Sequence, residues 1–231
     1  KKIIILNVHH ISRLKVLQGL NYEVIYMIRN PMASLYSAVK DWLQYENGKH
    51  VSPWWLYYHI ERVFNGLKTL LKLNLKVHVI QLELLHRQNT KVMREVSEKL
   101  DIAYYELLGN STYHGKLWWG DLLGNKNLSG VNPNFENTID HNFFYKKDIK
   151  CLETYLSPFM SKYNYQTSKK ILKFKIIKFL PLKIELEIWK KTILLMKIKE
   201  ILSIFYYWMK RITLMKNDIY KNVNFPDSLG K

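Results

Sequence analysis

The sequence predicts an α/β protein, a parallel sheet flanked by helices, followed by a basic α-helical C-terminal extension. Three observations lead there. Over the first 166 residues, short β-branched apolar runs alternate with stretches of helical periodicity. The 231-residue chain is 48% hydrophobic and 14% aromatic, which is enough to build a core and too much for a disordered chain. Beyond Gln166 the composition shifts: residues 168–216 hold 13 Lys or Arg against three Glu, a net +10 of the chain's +17. A boundary near Gln166 therefore separates an α/β domain (1–166) from an amphipathic helical extension (167–231).

The elements follow in order. "KKIIILNV" (1–8) reads as a buried strand. "HHISRLKVLQGL" (9–20) places Ile11, Leu14, Leu17 and Leu20 at helical spacing. "YEVIYMI" (22–28) is a second strand. Residues 31–44 are helical, with Pro31 in the first turn, where a missing N–H costs nothing. Residues 54–73 form a long amphipathic helix whose Trp54, Trp55, Tyr57 and Tyr58 read as packing residues. "KVHVIQL" (76–82) is a third strand, and "NTKVMREVSEKL" (89–100) a helix capped by Asn89 or Thr90. Residues 103–142 are rich in Gly, Asn, Ser and Trp and weakly periodic, the mark of a long functional loop. Another helix spans 146–163. In the extension, Pro181 separates a short segment from a long helix, about 182–215.

The charge predicts anionic partners: nucleotides, phosphorylated or sulfated groups, lipid headgroups or nucleic acid. No zinc-finger, RNP-type or helix-turn-helix signature is present, so nucleic acid is not expected. The single cysteine, Cys151, excludes an internal disulfide framework and a Cys-rich zinc site. The histidines show no ligand spacing on one helix face, and no metal is predicted. The longest late apolar run, 201–209, is far shorter than a membrane span. The start of the chain does not read as a signal peptide, so the expectation is a cytoplasmic protein, peripheral to a membrane if its extension binds one. Two glycosylation sequons, at Asn110 and Asn127, read as chance.

"YMIRNPMASLYSAVKDW" (26–42) carries the chemistry. An apolar strand ends in Arg29, and a helix with Ser34 and Ser37 in its first turns follows. Ligands of open parallel sheets sit beyond the carboxyl ends of the strands. There a helix start offers unpaired N–H groups and a positive dipole end, and a guanidinium offers a fork that matches phosphate oxygens. The junction reads as a phosphate site. In the plainer alternative, Arg29 pairs with an acidic neighbour and Ser37 only packs.

The spacing Arg-x-Pro-x-x-x-x-x-Ser resembles the 3′-phosphate-binding segment of the sulfotransferase family, enzymes that use 3′-phosphoadenylyl sulfate (PAPS) as donor. By that resemblance Arg29 and Ser37 hold the 3′-phosphate, with Asn30 where many relatives have aspartate. "KVHVIQLELLHRQNTKVMREVSEKLDI" (76–102) looks like the family's strand with a Tyr-Glu-Asp-Leu type motif and its following helix. The motif reads Gln81-Leu82-Glu83-Leu84-Leu85 here, with Leu82 in place of the usual aromatic. "STYHGKLWWGDLLGNKNLSGV" (111–131) resembles a late loop near the nucleotide, and "MSKYNY" (160–165) also fits. In that loop Lys116, Trp118 and Gly120 are candidate cofactor contacts: glycine lets backbone approach an anion, and Lys116 supplies charge.

The resemblance covers about residues 1–166. It implies a P-loop NTPase-like fold and PAPS as donor, with adenosine 3′,5′-bisphosphate (PAP) left after transfer. The reaction it implies moves a sulfuryl group to a carbohydrate or lipid hydroxyl. No "G-x-x-R-S-G-T-T"-like run occurs, so the family's first strand and phosphate loop are missing. With Lys1 as first residue, the chain reads as N-terminally truncated and holding half of a donor site. Family members often place a histidine base after the strand preceding the arginine strand, where His9 and His10 stand. Histidine titrates near neutrality, as a base must, but such a pair at a helix start also serves as polar capping, and some relatives use a glutamate. Two other readings stay open: a nucleotide-dependent kinase, and a non-catalytic peripheral membrane or scaffold protein that keeps the fold. For the extension, a helix packed on the domain competes with one lying on an anionic membrane surface.

Overall fold

The two longer strands differ in burial as their places in the sheet require. The computed structural model describes residues 11–17, 19–45, 75–110, 144–167 and 225–230, with single positions and short runs between them. β1 (Val24–Ile28) alternates, with Ile25 and Met27 exposed, while β2 (Val77–Gln81) is buried along almost its whole length. β2 is the central strand: it pairs in parallel with β1 on one side and with β5 (Ser228–Leu229) on the other. A parallel strand covered on both faces is buried along its length, and β2 buries His78 and Gln81 together with Val79 and Ile80. A separate antiparallel hairpin joins β3 (Thr112–Tyr113) to β4 (Lys116–Leu117) inside the expected loop region.

α1 (Pro31–Tyr45) follows β1, α2 (Leu82–Arg87) and α3 (Asn89–Lys99) follow β2, and α4 (Lys146–Lys162) packs beside α1. The 9–20 segment forms a 3-10 helix over Ile11–Leu17. The main core joins Ile28, Met32, Leu35 and Val79 to Leu152, Leu156, Phe159 and Tyr163 of α4 and its end. A smaller cluster, Ile80, Val92, Val96 and Leu229, fixes α3 and β5 against β2. Gly230 follows at φ +86°, where a Cβ would stand 2.5 Å from Val92 Cγ2, so only glycine fits this close approach.

α4 contains Pro158, which cannot donate to the Thr154 carbonyl four residues back. The Ser157 hydroxyl donates to that carbonyl instead, at 2.9 Å. The helix ends in a left-handed turn at Asn164, φ 56°. There Tyr165 N donates to Met160 O and Asn164 N to Ser161 O, the paired bonds of a Schellman motif. This turn reverses the chain and aims Tyr165 back at the sheet.

Described residues beyond Gln166 share the core. Leu182, Trp189, Trp208 and Phe225 belong to it or pack against it. Buried Asp148 accepts from the backbone N–H groups of Tyr145 and Lys183, tying the start of α4 to the extension. The extension also supplies β5, a strand the sequence reading did not foresee. Of the expected first strand (1–8), only Ile4 and Leu6 are described. Both are exposed and in no strand, because among the described residues β1 pairs with β2 alone and nothing continues the sheet past it. Most of the 54–73 helix lies outside the described residues; Arg62, Gly66, Thr69 and Leu70 are helical.

Candidate functional site

Register builds the site. β1 and β2 pair from Val24↔Val77 to Ile28↔Gln81, so the residues after them leave the sheet side by side. Arg29 and Asn30 therefore meet Leu82 and Glu83 at the carboxyl edge. Asn30 N donates to Glu83 Oε1 at 2.8 Å, bonding the two strand exits directly.

Asn30 also starts α1. Its side-chain Oδ1 accepts from Met32 N at 2.9 Å and Ala33 N at 3.2 Å, and its carbonyl accepts from Ser34 N. Asn is among the best residues for this cap. The expectation of unpaired N–H groups at this helix start is therefore corrected. Pro31 has none, and the next three are taken by Asn30. What remains for an anion is the dipole of the helix, the Arg29 charge and the hydroxyls of Ser34 and Ser37. Both serines are half-buried and lie three residues apart in the first turns of α1.

Glu83 is the hub. Its carboxylate is 6% exposed and takes three donors. Oε1 accepts from Asn30 N and from Asn137 Nδ2, each at 2.8 Å, and Oε2 accepts from Tyr165 OH at 3.1 Å. Burying a carboxylate is tolerated only with such compensation. Burial first, and then the Glu83 charge, push the Tyr165 phenol far above its ordinary value, so Tyr165 stays a donor. Next to it, buried Gln81 donates to Tyr163 O at 2.9 Å.

Asn132, Phe135 and Asn137 lie over this edge. Asn137 Oδ1 receives a long bond from Arg29 Nε, 3.4 Å, and the Arg29 guanidinium stands 5.4 Å from the centre of the Phe135 ring. His86 stacks on Phe135 at 4.5 Å and 9°. Its Nδ1 accepts from Asn132 N at 3.1 Å, which puts the proton of the neutral ring on Nε2. Arg87 donates to Phe135 O. Burial and the Arg29 charge lower the His86 pKa below its ordinary 6.5, and Glu83 opposes them. Arg29 thus places a fixed charge at the carboxyl edge, beside Asn137 and Phe135.

Of the expected site residues, Arg29 and Ser37 stand on adjoining elements, the end of β1 and the start of α1. Lys116 opens β4 in the separate hairpin. His9, His10, Trp118 and Gly120 lie outside the described residues. Sequence reasoning gave no role to His86, Phe135, Asn137 or Tyr165. An acidic residue directly after a buried strand was the available signal for the Glu83 cluster. Among the described residues no group of three His, Cys, Asp or Glu side chains is placed to hold a metal ion. No family model, curated protein or solved structure matches the chain.

Proposed function

We propose that this chain binds a nucleotide through its 3′-phosphate and acts in sulfuryl transfer from PAPS, on a P-loop-like sulfotransferase fold. The observation that supports this most is Arg29 at the carboxyl edge of a parallel sheet, followed by a capped helix that carries Ser37 eight residues on. A guanidinium, a hydroxyl and a helix dipole at one strand exit suit a dianionic phosphate. The ordered motifs of 26–42, 76–102 and 111–131 support the sulfotransferase assignment over other nucleotide enzymes.

When bound, the donor supplies an electrophilic sulfur that an acceptor hydroxyl attacks in line. Arg29 and Ser37 orient the nucleotide from its 3′ end. Asn137, itself held by Glu83, accepts from Arg29 Nε and so orients the Arg29 charge before the ligand arrives. His9 or His10 takes the acceptor proton.

Titration calorimetry with adenosine 3′,5′-bisphosphate tests the site. Arg29→Ala should weaken binding by about 2–3 kcal/mol and Ser37→Ala by about 1 kcal/mol, as for loss of charged and neutral partners. Unchanged affinity in Arg29→Ala removes the site. In a turnover assay, one of His9→Ala and His10→Ala should lose about 10²-fold in rate while still binding nucleotide; near-native rates in both move the base elsewhere.

A further inference from the structure

Asn132, Phe135 and Asn137 connect His86 on α2 to Arg29 just beyond β1. Asn132 N–H donates to His86 Nδ1 at 3.1 Å. Phe135 N in turn donates to Asn132 O at 3.0 Å, closing a turn, and the Phe135 ring stacks flat on the imidazole. Two residues on, Asn137 accepts from Arg29 Nε and donates to Glu83. The same Phe135 ring lies 5.4 Å from the Arg29 guanidinium, and its carbonyl accepts from Arg87. What His86 does to Asn132 and Phe135 is therefore passed to Asn137, and from there to Arg29.

One of these contacts depends on a proton. Nδ1 accepts from Asn132 only while it carries no hydrogen; a protonated imidazole carries one on each nitrogen and accepts from neither. Protonation therefore sets two donors against each other, the Asn132 N–H and Nδ1–H. It also adds a positive charge between two fixed ones, Arg29 from the end of β1 and Arg87 beside it in α2. Glu83 opposes them, but its carboxylate already serves Asn30, Asn137 and Tyr165, and Tyr165 stays neutral. Burial and the Arg29 charge hold the His86 pKa below its ordinary 6.5. An imidazole released into water titrates near that ordinary value, so acid favours the released arrangement.

We propose that His86 is a proton-sensitive latch on the Arg29 site. Neutral, it holds Asn132 and Phe135 against α2 and so keeps Asn137 on Arg29; protonated, it lets them go. His86 is a positioning residue, acting on Arg29 through Asn137. As pH falls, the Arg29 orientation is lost and nucleotide binding weakens. The imidazolium charge attracts an anion as well, but through water and without a bond, so the lost orientation outweighs it. This regulatory step rests on the reading of Arg29 as the phosphate site; the latch itself does not.

Nitrogen-15 NMR of the 231-residue chain tests the latch without a ligand. Between about pH 7.5 and about pH 5 the backbone amide of Asn132 and the side-chain amide of Asn137 should shift together, with one midpoint below 6.5. His86→Gln keeps an acceptor for Asn132 and cannot titrate, so both signals should stay in place. Signals that ignore pH in the native chain, or that move equally in His86→Gln, would overturn the latch. Titration calorimetry with adenosine 3′,5′-bisphosphate at about pH 7.5 and about pH 5.5 tests the regulatory step. The nucleotide's own protonation is common to both proteins and cancels in their ratio. The affinity of the native chain relative to His86→Gln should fall at least about threefold from the higher pH to the lower. An unchanged ratio overturns the regulatory step and leaves the phosphate site standing. Absence of binding by both proteins at the higher pH overturns the phosphate site and with it the regulatory step, while the NMR titration still decides the latch.

Discussion

Replacing Glu83 separates its structural contribution into parts that can be measured. Glu83→Ala strands three donors: the buried Asn30 N–H, the Asn137 amide and the Tyr165 hydroxyl. An unsatisfied buried donor costs about 1–3 kcal/mol. Asn30 is buried, so its N–H bears a cost of about 2 kcal/mol; Asn137 and Tyr165 are half-buried, can reach water, and add about 0.5 kcal/mol each. The sum is about 3 kcal/mol, or a drop in Tm of about 6–12 °C for a chain of this size. Glu83→Gln keeps the shape. Its oxygen can still accept from Asn30 and Asn137, and the Tyr165 hydroxyl can turn to accept from its amide. Only the charge assistance is lost, about 1 kcal/mol. Urea unfolding of the two variants, followed by tryptophan fluorescence and by circular dichroism, gives both numbers. Nucleotide binding should survive in Glu83→Gln, where Asn137 and Arg29 keep their contacts. Glu83→Ala within about 0.5 kcal/mol of the native chain, or Glu83→Gln as damaging as Glu83→Ala, would refute the hub.

Two further outcomes follow from the same geometry. The His86 pKa lies below 6.5 in the folded chain, so between that lowered value and 6.5 the unfolded chain binds more protons. The stability His86 contributes is present above 6.5 and lost as pH falls through its folded value; His86→Gln should flatten this slope, and an identical pH profile of the urea midpoint would contradict the assignment. Asn164 occupies the left-handed position that turns Tyr165 toward Glu83. Asn164→Ala should lower stability by about 1 kcal/mol in thermal unfolding while Asn164→Gly is neutral or stabilising, and equal losses in both would show that the turn is not strained.

The sequence made the strand–helix alternation legible because each signal was local. "YEVIYMI" and "KVHVIQL" are stretches of strand length rich in β-branched and aromatic residues, and β1 and β2 lie within them. Helices α3 and α4 lie on stretches with a repeating apolar face; the expected cap of α3 is corrected, because Asn89 already belongs to the helix and Gln88 precedes it with no side-chain cap hydrogen bond. Arg29 and the serines were legible for the same reason: strand, charge, proline and hydroxyl stand within a few residues. The cap on α1 could also have been read, since an Asn directly before a helix-opening Pro is a local start signal. The Glu83 hub was not legible. Its donors come from 53, 54 and 82 residues away, and no pattern in 81–85 announces that they converge there. β5 was hidden differently: two residues with no apolar run join the sheet through backbone pairing to β2, more than a hundred residues upstream. The extension showed its charge and its aromatics. Which aromatic faces the core is decided by the tertiary docking of Trp189 and Trp208, which periodicity alone does not carry.

The central claim is recognition of a 3′-phosphate at the β1–α1 junction. Calorimetry on the native 231-residue chain with adenosine 3′,5′-bisphosphate beside adenosine 5′-monophosphate addresses it most directly, because the two ligands differ only in that group. The bisphosphate should bind at least about thirtyfold more tightly, near 2 kcal/mol, and Arg29→Ala should erase most of the difference. Equal affinity for the two nucleotides in the native chain, or a preference that survives Arg29→Ala intact, would contradict it.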